Sequence, residues 1–153
     1  MHLEWQIKHY NELTLNEFHD IIALRVNVFV VEQDCPYQEL DGKDKKCYHV
    51  ICRDGMGNIV ATARIAPPGI SYDNSPSIGR VVIDESIRNQ GKGHELMNKC
   101  VDYSILEFGN STITISAQKH LEKYYGGHNF TSTGKEYLED GIPHVEMAFT
   151  PNN

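Results

Sequence analysis

A chain of 153 residues, 40% hydrophobic and 23% charged, has an ordinary globular composition and the length to bury a core. Its formal charge of −7 argues against general nucleic-acid binding, which needs a basic face. No apolar run approaches the roughly 20 residues of a membrane span, and Met1-His2-Leu3-Glu4-Trp5-Gln6 lacks the marks of a signal peptide. The expectation is a single domain over 1–153 in the cytoplasm, without nucleic-acid or membrane partners and with a homodimer as the default assembly.

Residues 3–9 alternate Leu3, Trp5 and Ile7 with Glu4, Gln6 and Lys8, the period of a strand. Thr14 followed by Glu17 makes a capping box. It predicts a helix from about Leu15 to Val30, with Phe18, Ile21, Ile22, Val26 and Phe29 turned inward. Arg25 lies beside that stripe and needs a partner or water. Residues 33–46 form a long acidic loop with room for one turn of helix. Its carboxylates make either a solvated connection or a substrate wall that attracts an ammonium group. Residues 47–53 and 59–66 read as strands around a hairpin turn at Asp54–Asn58. Cys47, His49 and Cys52 do not suggest a metal site, because alternation puts Cys52 on the opposite strand face.

A strand at 78–84 leads through Arg88-Asn89-Gln90-Gly91-Lys92-Gly93 into an amphipathic helix with Leu96, Met97, Cys100, Val101, Ile105 and Leu106 at helical spacing. Gly109-Asn110 ends it. A strand at 112–117, a short helix from Gln118 to Tyr125 and strands at 129–133 and 143–149 complete the chain. The last two join at Glu139-Asp140-Gly141. The pattern is a mixed α/β domain, largely antiparallel, with one parallel crossover.

The strand–loop–helix unit presents unpaired amides at a helix start, which suits a phosphate or pyrophosphate. Gly91 and Gly93 remove side chains from that approach, and Arg88 and Lys92 add positive charge. Two nucleotide motifs fail on the residues. An NTPase loop needs Ser or Thr after the Lys, whereas Gly93 and His94 follow Lys92. A dinucleotide fingerprint needs a third glycine, but position 96 is Leu.

What remains is Arg or Gln, two residues, Gly, one residue, Gly or Ala. That pattern resembles the pyrophosphate loop of the Gcn5-related N-acetyltransferases (GNAT). Gln118 through Phe130, with Tyr124-Tyr125 and Asn129-Phe130, is similar to a second motif of that family, with Asn129 where Gly is usual. Asn is the next best residue at positive φ. Arg25, Val28-Phe29-Val30, Glu32-Gln33, Tyr37, Glu39, Asp41, Ala63-Arg64-Ile65, Ile78-Gly79-Arg80-Val81, Ser116-Ala117-Gln118 and Asp140–His144 resemble the ElaA-like subfamily. The likeness spans nearly the whole chain.

The resemblance implies an α+β, GNAT-type acyl-CoA N-acyltransferase fold. Its central sheet is mostly antiparallel, with one parallel pair splayed at the coenzyme site, flanked by about four helices. It implies acetyl-CoA as co-substrate, no metal and an amine acceptor. The backbone of Val81, Val82 and Ile83 would bind the pantetheine arm and thioester. The loop Arg88, Asn89, Gln90, Gly91, Lys92, Gly93 and His94 would hold the pyrophosphate, and Gln118 would add an amide contact. Tyr125 would protonate the leaving sulfur, with Tyr124 beside it as a rival. The base is open among His144, His49, Glu39, Glu32 and water. Arg25, Phe29, Glu39, Asp41, Asp44 and Arg64 also resemble the acyl-homoserine-lactone synthases. A further alternative is a non-catalytic, coenzyme-A-binding regulator.

Overall fold

The computed structural model describes residues 2–151. β1 (Glu4–His9), β2 (Tyr48–Arg53), β3 (Ile59–Ala66) and β4 (Ser77–Ile83) form an antiparallel sheet in that order. A second antiparallel sheet has the order β5 (Ile113–Gln118), β7 (Ile142–Phe149), β6 (Thr131–Glu139). Between β4 and β5 runs α2 (Lys92–Phe108), whose buried residues are Leu96, Met97, Cys100 and Ser104. Leu106 was expected inside but is 81% exposed; Ser104 takes the inner position one turn along.

The first sheet is covered on both faces, which is why β2 and β3 are buried almost throughout. Tyr48, Val50, Cys52, Ala61, Ala63 and Ile65 share the core with α2. His49 faces the other way, toward Phe18 of α1 (Leu15–Arg25). The alternation that separates Cys47 and His49 from Cys52 is therefore present in the fold.

Thr14 caps α1, its side chain accepting from the Glu17 amide while the Glu17 carboxylate returns to the Thr14 amide. The buried face of α1 is Glu17, Ile21, Leu24 and Arg25. Of the expected stripe Ile21 is buried, whereas Phe18, Ile22, Val26 and Phe29 are half-exposed. Two apolar stripes compete on this helix, and the charge anchors decide between them. Lys8 and Arg53 hold Glu17, while Glu39 and Asp44 hold Arg25. The helix does not stop at Arg25 but widens into a π-helical segment, Val26–Glu32. The Gln33 and Cys35 amides donate five residues back, to Val28 and Val30.

The 33–46 loop has one 3₁₀ turn, Asp44–Lys46. With α3 (Glu122–Gly126), the described residues hold three α-helices, where about four were expected. β6 is longer than expected, reaching Glu139 through an irregularity at Thr133–Lys135 with Gly134 at φ +92°. No helix of the described residues is long and apolar enough to cross a membrane.

Burial pushes the Glu17 carboxyl up, but its bonds from the Thr14 amide, Lys8 and Arg53 outweigh that and hold it at about 2. Asp41, bonded by Arg64, is likewise held at about 2 against its burial. Both protonate more readily unfolded than folded, so they stabilise the native state above the ordinary carboxylate range. That contribution is lost as pH falls from about 4.5 toward 2. Urea midpoints at pH 7, 4 and 3 should fall in that order. Glu17→Gln should be less stable at pH 7 and show a shallower decline; an unchanged slope would contradict the assignment.

Candidate active site

β4 and β5 begin side by side and then part. The Thr114 amide donates to the Pro76 carbonyl at 3.1 Å, and the Ser75 and Thr114 hydroxyls meet at 2.8 Å. Beyond that point no ladder joins the two sheets among the described residues. Both strands start at the same end and α2 crosses between them, so this is the expected parallel pair, splayed. β4 also carries a bulge, because Thr62 faces Val82 and Arg64 faces Gly79, which leaves Ala63 opposite both Arg80 and Val81. Arg80 sits there at φ +51°. Such a conformation costs of order 1–3 kcal/mol in a non-glycine residue and persists only where the surroundings enforce it.

Glu39 supplies that enforcement. It accepts from Arg80 Nε at 2.7 and 3.1 Å, from Arg25 Nε at 2.8 Å and from the Tyr37 hydroxyl at 2.8 Å. Asp44 accepts from Arg25 and Arg64, and Asp41 from Arg64 at 3.0 and 3.1 Å. Three arginines and three carboxylates thus neutralise one another beneath the cleft. This corrects the picture of an acidic wall free to attract an ammonium group: those carboxylates are already paired.

Three cavities run in series through the gap. A cleft of about 590 Å³ is lined by Val81, Val82, Ile83, Arg88, Gln118 and Glu32. It adjoins a narrow central cavity of about 110 Å³, lined by Tyr125, Val81, Arg80, Gln118, His144 and Glu139. A third, of about 510 Å³, opens on the far side between Tyr37, Tyr72, Tyr137, Lys43, Arg80 and Asp140. The central cavity shares walls with both, whereas the outer two share none.

At the loop, Asn89 has φ +63° and Gly91 φ +74°. Gly91 is the N-cap of α2, and among the described residues no side chain caps that end. The first amide of the turn with an acceptor is that of Glu95, to Gly91 at 3.3 Å. Among the described residues the N–H groups of Gln90, Gly91, Lys92, Gly93 and His94 have none, and nothing lies within 4 Å of where a Gly91 Cβ would stand.

Gly93 serves a different neighbour from the one expected. A Cβ there would meet the Tyr124 hydroxyl at 3.3 Å, because Tyr124 donates to the Gly93 carbonyl at 2.6 Å. Arg88 also differs from expectation. Its Nη atoms fork onto Glu32 at 3.0 and 2.9 Å and its Nε donates to the Ile83 carbonyl at 2.9 Å. It ties the end of β4 to the π-helical segment instead of standing free beside the loop, and it occupies one of the backbone groups assigned to the pantetheine arm. Lys92 reaches Glu95 at 3.5 Å. His94 pairs with His128 at 2.7 Å, and burial together with the His94 charge lowers the His128 pKa.

The two adjacent tyrosines differ in their contacts. Tyr124 is engaged with Gly93, while the Tyr125 hydroxyl has no partner among the described residues and faces the central cavity. Burial lifts the Tyr125 hydroxyl to about 12, so it holds its proton at neutral pH. Asn129 has φ +69°, as expected of a residue standing for glycine, and lets the Phe130 amide turn back to the Tyr125 carbonyl at 3.2 Å. Gln118 reaches Gln33 at 3.5 Å across the gap and lines two of the cavities.

Sequence reading missed the wall formed by Arg80, Ser116, Tyr137 and Glu139. Alternation along β6 would have aligned Tyr137 and Glu139 with His144, had that strand been followed to residue 139.

Residues 9–151 match the Acetyltransferase (GNAT) domain family, and the chain belongs to it. Its similarity extends to the ElaA-like branch. The chain is 37% identical to Protein ElaA of Escherichia coli over 151 residues, covering 95% of each. The crystal structure of that protein superposes with a TM-score of 0.87 over 97% of this chain and 99% of that one. A UPF0039 protein of Schizosaccharomyces pombe is 43% identical over 146 residues, 95% of each chain. An acyl-CoA N-acyltransferase from Pseudomonas aeruginosa has a TM-score of 0.92 at 38% identity, covering 97% of this chain and 100% of that one. The acyl-homoserine-lactone synthase LasI, at 16% identity and a TM-score of 0.77, shares the fold alone.

Proposed function

We propose that the protein is an acetyl-CoA-dependent N-acetyltransferase acting on a primary amine of a small molecule or a protein. The observation that carries this reading is the unbonded amide mouth of α2, set beside a gap between parted strands that ends at a free tyrosine hydroxyl. The pyrophosphate lies on the amides of Gln90 to His94, where the helix dipole favours negative charge. The pantetheine arm follows the backbone of Val81 and Val82 through the cleft, with Gln118 opposite. Arg88 acts indirectly, by fixing the end of β4 through Glu32.

The acceptor enters from the opposite side. Its neutral nitrogen attacks the thioester carbonyl carbon, and the oxygen gains charge beside the β4 bulge. The tetrahedral intermediate collapses, the C–S bond breaks and the thiolate takes the Tyr125 proton; the nitrogen, cationic after attack, sheds one N–H proton to water, which returns a proton to the Tyr125 oxygen. The products are the amide and coenzyme A.

Thiol release from acetyl-CoA across polyamines, amino acids, aminoglycosides and peptides tests the reading. Tyr125→Phe should lower turnover about a hundredfold while leaving acetyl-CoA affinity unchanged, the lower end of what proton transfer supplies. Tight coenzyme binding without thiol release from any acceptor, and with Tyr125→Phe silent, would instead mark a regulator. Mass spectrometry of mixed acyl-CoAs reads out the chain length accepted.

A further inference from the structure

The acceptor's own proton remains to be assigned. Of the side chains considered for it, three are occupied or misplaced. His49 is wholly buried, bonds the Asp44 carbonyl at 3.0 Å and lines none of the three cavities. Glu39 is held between Arg25 and Arg80, and Glu32 by Arg88. His144 differs from all of them. It faces the central cavity that Tyr125 also lines, with its side chain only 8% exposed.

Its neighbours fix its tautomer. Nδ1 lies 2.7 Å from the Ile142 carbonyl, which can only accept, so Nδ1 bears the hydrogen. The lone pair of the neutral ring is therefore on Nε2. That atom lies 3.4 Å from the Glu139 carboxylate, and Tyr137 stacks on the ring at 6.1 Å and 18°. The register explains the grouping, since His144 sits between Gln118 on β5 and Tyr137 on β6, all on one sheet face.

We propose that His144 Nε2 is the general base of the transfer and that Glu139 is its positioning carboxylate. This rests on the transferase reading above. The acceptor's ammonium gives one proton to Nε2, which frees the nitrogen lone pair for attack. The imidazolium then keeps its Nδ1–H on the Ile142 carbonyl and has its Nε2 within ion-pairing distance of the Glu139 carboxylate. Glu139 is half-exposed, so the proton leaves to water along it. The titratable groups around the ring are Tyr37 and Cys35 from the 33–46 loop, Arg80 from β4, Tyr125 from α3, and Tyr137, Glu139 and Asp140 from the last hairpin. Only Glu139 comes within ion-pairing distance of it among the described residues. Arg80 is already balanced by Glu39.

Two measurements on the full chain test this. Nitrogen-edited NMR of the imidazoles should show His144 as the Nδ1–H tautomer. An Nε2–H tautomer overturns the proposal. The second measurement follows thiol release from acetyl-CoA with benzylamine, protonated at neutral pH, and with hydroxylamine, which is not.

His144→Gln should slow the benzylamine reaction about a hundredfold and leave the hydroxylamine reaction within about twofold. Equal losses, or none, overturn the assignment. Should His144→Gln fail to fold, Glu139→Gln decides alone. Its benzylamine rate at pH 7 should drop several-fold with the hydroxylamine rate kept, and parity with wild type counts against the proposal. If wild type releases no thiol with either nucleophile, the transferase reading itself fails. That outcome is distinct from an active wild type matched by an equally active His144→Gln.

Discussion

Gly91→Glu should abolish detectable coenzyme A binding while leaving the fold intact. Gly91 is the N-cap of α2 at φ +74°, exposed and with open space around its Cβ position. A glutamate there brings a carboxylate to the amides proposed to receive the pyrophosphate. At about 4 Å and an effective dielectric near 20, one like-charge pair costs about 4 kcal/mol, or about three decades in affinity. Backbone strain adds about 1–2 kcal/mol to the folded state alone, which a domain of ordinary stability tolerates. Gly91→Asn is the control, because asparagine accepts the left-handed conformation and adds no charge. Calorimetric titration with coenzyme A should give a near-normal affinity for Gly91→Asn and no heat for Gly91→Glu. Equal affinities in all three proteins would refute the loop assignment.

Arg25→Ala should cost about 3–5 kcal/mol, the usual penalty for breaking a buried ion pair from one side. The side chain is 1% exposed, and the carboxylates of Glu39 and Asp44 that face it are each 4% exposed. Without Arg25 the network holds two arginines against three carboxylates in a place water hardly reaches. Arg25→Lys should recover only part of the loss, because an ammonium cannot fork between two elements as a guanidinium does. Urea unfolding at pH 7 measures both variants. A change below about 1 kcal/mol for Arg25→Ala would mean that the pocket hydrates its charges. Because Glu39 also anchors Arg80 in its strained conformation, the alanine variant should lower turnover at temperatures where it is still folded.

These two sites differ in how far they could be read from sequence. The loop was legible because its determinants are local. A strand, two glycines and an apolar period of a helix lie within thirty residues, and Gly109 and Asn129 both adopt the positive φ that their positions implied. The capping box at Thr14 was legible for the same reason. The ion network was only half legible. Arg25 visibly needed a partner, but its partners stand 14 and 19 residues away, across a loop without periodicity. The face of α1 was only half read: Ile21 is buried as expected, but Phe18, Ile22 and Val26 form as regular a stripe as Ile21 and Leu24. The choice depended on where Lys8 and Arg53 would lie. β6 was cut short because Thr131 to Glu136 are exposed on both faces, which erases the alternation that marks a strand. With that strand's end went Glu139, and so the partner of His144.

The parting of β4 from β5 has a kinetic corollary. A passage that is open front and back gives each reactant its own doorway, so neither must depart before the other arrives. The enzyme can hold donor and acceptor at once, and double-reciprocal plots at several acetyl-CoA concentrations should intersect instead of running parallel.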